Sequence, residues 1–82
     1  MDTTLGYLRE ILSNYTDEHE ISRAIYKKLE SNMEDEISFV RSLNQEQTKF
    51  LNDILPQEIN HALDEQDFPR TTELNHIYEL LI

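Results

Sequence analysis

Apolar residues recur at intervals of three and four along almost the whole of this 82-residue chain, a period that only helices use. Leu5, Leu8, Ile11, Leu12 and Tyr15 open the pattern. Ile21, Ile25, Leu29, Met33 and Ile37 follow at steps of four, and Val40 and Leu43 extend that stripe. Phe50, Leu51, Ile54 and Leu55 begin a third stripe, which Ile59, Ala62 and Leu63 continue. Leu74, Ile77, Tyr78, Leu80, Leu81 and Ile82 make the last. A sheet lacks its turns here. Gly6 is the only glycine, no Asn-Gly pair occurs, and Ile37-Ser38-Phe39-Val40 is too short to seed a ladder.

Helix-start signals divide the pattern. Thr3 or Thr4 is expected to cap the first helix. Asp17-Glu18-His19-Glu20 reads as a capping box, and Asn44-Gln45-Glu46-Gln47 as a second. Between the two boxes the spacing predicts one helical element with a weak point near Ser31-Asn32. The chain should turn back near residues 43–45 and not continue as a coiled coil, because heptad positions Asn44 and Gln47 are polar. Pro56 lacks a backbone donor and crowds the preceding turn, so a kink or a break is expected there. Asp64 through Pro69 reads as a loop, with Thr71 or Thr72 capping the last helix. The expected fold is all-α, a small antiparallel bundle or array of four to five short helices forming a single domain over residues 1–82.

Charge bounds the partners. Seven Lys and Arg against 17 Asp and Glu give a net charge of −10, and so few cations disfavour direct binding of nucleic acid. Residues 53–82 hold seven acids against Arg70 alone, so the charge is densest toward the end of the chain. Such a surface steers a basic protein partner, or simply keeps molecules apart in solution. Apolar runs of four residues or fewer predict no membrane span and no secretion signal, hence a cytoplasmic protein. The absence of cysteine removes thiolate chemistry, and a single glycine removes glycine-rich phosphate loops. High Asn, Ile and Glu with little Ala and Gly give the composition a bacterial or phage-like look.

One motif occurs twice: Glu58-Ile59-Asn60-His61 and Glu73-Leu74-Asn75-His76. Glu-x-x-His on two bundle helices is half of a carboxylate-bridged dimetal site, provided the ligands point inward. On regular helices His61 and His76 each fall about 150° from the apolar stripe, and Glu58 about 90°, which turns both imidazoles to solvent. No metal and no other cofactor is therefore expected. A small metal-binding or catalytic bundle using Glu58, His61, Glu73 and His76 stands as the alternative reading. The serines lack the strained glycine turn of a nucleophile elbow, and the chain is not expected to be an enzyme.

The last helix points to interaction. Its apolar residues span an arc of about 200°, whereas packing on one side needs a stripe somewhat over 100° wide. The sequence thus predicts a non-enzymatic protein-binding module, a small acidic regulator or inhibitor that occludes a partner surface. Ile77, Tyr78, Leu81 and Ile82 are the expected anchors, with Asp64, Glu65, Asp67 and Glu79 as an acidic rim. A homodimer is the simplest cover for that arc in so small a domain.

Overall fold

A computed structural model describes residues 3–15, 20–31 and 35–82 of the chain. They form five helices: α1 (Thr3–Ser13), α2 (Glu20–Glu30), α3 (Glu36–Ser42), α4 (Gln45–Asp64) and α5 (Phe68–Leu81). The all-α fold expected from periodicity is present. The capping box proposed at Asp17 lies outside the described residues. Thr4 is no cap; it sits inside α1 with its side chain buried.

Two helices replace the single element expected before Asn44, and α2 ends at Glu30, beside the weak point expected near Ser31-Asn32. Lys27 and Lys28 close α2, where cations suit the negative end of the helix dipole. The chain restarts at Asp35, the N-cap of α3, whose carboxylate accepts a hydrogen bond from the Ser38 N–H at 2.7 Å. That bond holds the Asp35 carboxyl below its ordinary range. Restarting the helix also resets its phase. Phe39 turns fully inward, while Ile37, a stripe residue in the unbroken reading, is left 54% exposed.

The turn at residues 43–45 forms as expected. Asn44 Oδ1 accepts from the Gln47 N–H at 2.8 Å, and the Asn44 N–H donates to Gln47 Oε1 at 3.1 Å, a complete capping box. The Lys28 ammonium donates to the same Gln47 oxygen at 2.7 Å and to the Ser42 carbonyl, tying the end of α2 to the α3–α4 turn. Pro56 does not divide α4, which runs from Gln45 to Asp64 as one helix. Leu51, Ile54 and Leu55 before the proline and Ala62 after it are all buried. Packing on both sides thus offsets a proline penalty of ~3 kcal/mol.

The link expected at Asp64–Pro69 is tighter than a loop. Gln66 adopts a left-handed conformation at φ 61°. Asp67 N–H then donates to the Ala62 carbonyl at 2.9 Å and Gln66 N–H to the Leu63 carbonyl at 3.0 Å, the paired bonds of a Schellman stop. Asp67 immediately caps α5, accepting from the Arg70 N–H at 3.2 Å, with Pro69 in the first turn. Asp67 therefore takes the capping role expected of Thr71 or Thr72. The Thr71 hydroxyl instead donates to the Asp67 carbonyl at 2.9 Å.

Helix α5 packs against α4, α1 and α3, while α2 packs on α1 and α4. Leu5, Leu8, Ile11 and Leu12 of α1 meet Ile25, Leu29, Phe39, Leu51, Ile54, Leu55, Leu74, Ile77 and Leu81 in one core. The radius of gyration, 11.7 Å, is what compact packing gives for this length.

Candidate functional site

Helix α5 is surrounded on three sides, and this decides which apolar residues reach solvent. Ile77 is fully buried and Leu81 is 8% exposed, so both are core residues of this chain and not surface anchors. The wide apolar arc is thus largely absorbed by α1, α3 and α4 together, more neighbours than a single bundle face supplies. Tyr78 is half-buried against the core. Leu80 and Ile82 remain outside, at 38% and 77% exposure. Leu63 and Phe68, flanking the α4–α5 turn, are also open.

The acidic rim divides in the same way. Asp64, Glu65 and Glu79 are exposed, and Glu65 pairs with His61 one turn earlier. Asp67 is committed to structure: it caps α5 and accepts from Arg70 Nε at 3.1 Å. The Arg70 guanidinium reaches across to Glu10 at 2.7 Å and lies over the Tyr7 ring at 5.2 Å, joining α5 to α1. Glu10 foremost, then Asp67, raises the Arg70 pKa and holds the guanidinium charged.

The two Glu-x-x-His motifs are separated in space. Glu58 accepts a hydrogen bond from the Tyr15 hydroxyl at 2.8 Å, beneath the edge-to-face contact of Tyr15 with Phe50. Burial first, and Glu58 second, pushes the Tyr15 pKa up to about 12. His61 faces solvent beside Glu65. The second motif meets α3 and α1 instead: Glu73 accepts from the Thr4 hydroxyl, and His76 Nδ1 lies 3.3 Å from Glu36 Oε2. Among the described residues, Glu36, Glu73 and His76 are the group that could share one ion, and Glu58 and His61 are not part of it. Both imidazoles are exposed, as their helical phase requires. The hydroxyls of Ser13 and Ser42 donate to carbonyls of their own helices, that of Ser31, just past α2, to the Lys28 carbonyl, and that of Ser22 to the Leu12 carbonyl.

Comparison with known proteins places the chain. Residues 1–82 match the family described as CsgA, minor curli fiber component A. The chain belongs to that family. A protein of Bacillus subtilis (strain 168) described as "Sigma-G-dependent sporulation-specific SASP protein" is 45% identical over 82 residues, covering all of both chains. No solved structure matches the chain.

Periodicity alone did not reveal the α3–α5 meeting of Glu36 with His76, because it depends on where α3 restarts. The restart itself had a signal: Asp35 directly precedes an acidic first turn. The same kind of signal stood at Asp67, with Pro69 two residues on, a start pattern stronger than the threonines that follow.

Proposed function

We propose that the chain is a non-enzymatic protein-binding module, a small acidic regulator or inhibitor that acts by covering a partner's surface. The observation that carries this reading is the set of large apolar side chains left open beside acids: Leu80 and Ile82 next to Glu79, and Leu63 and Phe68 around Asp64 and Glu65. Apolar anchors within a charged rim are how binding surfaces combine adhesion with selection. Ile82 stays an anchor, Leu80 takes the place of the buried Ile77 and Leu81, and Tyr78 supplies an amphipathic edge. A basic protein surface is the favoured partner, a second copy of the chain the other. The full-length likeness to a sporulation-specific protein supports a role in sporulating cells. The described helices satisfy their backbone groups internally and leave none to stack as cross-β strands.

The test compares the wild-type chain with a Leu80→Ser, Ile82→Ser double variant, in partner capture from sporulating cells and in sedimentation for self-association. Both side chains are exposed, so circular dichroism should be unchanged while capture or self-association is lost. Raising salt from about 0.05 to 0.5 M shortens the Debye length from roughly 14 to 4 Å and should slow association with a basic partner. Equal binding by the variant would overturn the reading.

A further inference from the structure

We propose that Glu36, Glu73 and His76 form a binding site for a transition-series divalent cation, with Zn²⁺ as the probe, at the seam between α3 and α5. One ligand atom from each of the three lies within 4.8 Å of the others. Glu73 and His76 are three residues apart and share a face of α5, while Glu36 approaches from the first turn of α3. The Glu36 side chain is only 12% exposed, and its carboxylate repels that of Glu73, a ligand oxygen of which lies within 4.8 Å. A shared dication removes that repulsion.

The His76–Glu36 spacing also fits. His76 Nδ1 and Glu36 Oε2 are 3.3 Å apart, longer than a charge-assisted hydrogen bond of about 2.7–2.9 Å. Ligands bound at 2.0–2.1 Å in a tetrahedron are separated by roughly 3.3–3.4 Å. Thr4 on α1 donates its hydroxyl to Glu73, the kind of outer hydrogen bond that orients a metal ligand, and a carboxylate retains lone pairs beyond it. His76 is 58% exposed, which leaves an entry path. One imidazole with two carboxylates suits Zn²⁺, Mn²⁺ or Co²⁺; Ca²⁺ asks for six or more oxygens. The bound ion would staple α3, the shortest of the five described helices, to α5. This inference does not depend on the protein-binding reading.

The experiment is calorimetric titration of Zn²⁺ into the chelator-treated full chain near neutral pH, at moderate salt to suppress diffuse counter-ion binding, with thermal melting alongside. One saturable equivalent and a raised melting temperature are expected. Both Glu36→Gln and His76→Gln should weaken binding by at least about tenfold, as loss of even an outer-shell partner does. His61→Gln, altering the other Glu-x-x-His motif, should leave binding intact, and Ca²⁺ should not compete. Circular dichroism of the ion-free variants separates loss of the site from loss of the fold. Absence of saturable binding below about 100 µM, weak against the affinities of built zinc sites, would overturn the proposal. Equal affinities in wild type, His76→Gln and His61→Gln would do the same, leaving only the acidic surface at large.

Discussion

Gln66 occupies the one backbone position among the described residues where a side chain works against the fold. Its φ of 61° is left-handed, and it is held there because the Schellman bonds of Asp67 and Gln66 to Ala62 and Leu63 need that conformation. A residue with a Cβ loses about 1–2 kcal/mol in this region, and glycine loses almost none. Glycine also gives the unfolded chain more freedom, which returns about 0.5–1 kcal/mol of the gain. The Gln66 side chain is exposed, so no packing is lost. Gln66→Gly should therefore stabilise the protein by about 0.5–1 kcal/mol, or roughly 2–8 °C in melting temperature for a domain of this size. Urea unfolding and thermal melts followed by circular dichroism at 222 nm provide the assay. Gln66→Ala is the matched control: it keeps the Cβ and should show no comparable gain. The effect has a structural consequence too, because this turn delivers Asp67 to cap α5 and to hold Arg70 against Glu10. If the glycine variant were neutral or less stable with an unchanged spectrum, the left-handed turn would not be the conformation that sets the angle between α4 and α5.

Three further outcomes follow from the packing. Leu81→Ala should cost about 2–4 kcal/mol because Leu81 is a core residue, whereas Ile82→Ala should stay within about 0.5 kcal/mol in the monomer; equal effects in denaturant melts would contradict the burial pattern. Gly6 sits inside α1, and a Cβ there would meet nothing within 4 Å, so Gly6→Ala should raise stability by about 0.5–1 kcal/mol, measured the same way. Tyr15 should ionise only near pH 12, later than an ordinary phenol, in absorbance titration of phenolate formation. Its raised value means that it stabilises the fold fully below about pH 10, and that this contribution disappears between pH 10 and 12. In Tyr15→Phe that part of the alkaline stability loss should vanish.

Most of the helices were legible in the chain because each has a local cause. The stripe Leu5, Leu8, Ile11 and Leu12 marks α1, and Asn44 with Gln47 marks the start of α4 by a bond between neighbours three residues apart. The outward phase of His61 and His76 was legible for the same reason: angle along a helix is arithmetic on residue number. Tertiary structure alone decided the features that depend on what lies across the core. Pro56 is carried inside one helix because Leu51, Leu55 and Ala62 are buried around it, an energy no local rule contains. Ile77 and Leu81 are interior because α5 has three neighbours, a number the amphipathic pattern of one helix does not encode. Phe39, and not Ile37, faces inward because the chain restarts at Asp35, and a restart shifts every later side chain about the axis. That shift also brings Glu36 to Glu73 and His76, residues 37 and 40 positions away. Local hydrogen bonds and periodicity act over a few residues and can be read in order along the chain; burial and charge pairing act across space, so only the packed molecule reveals them.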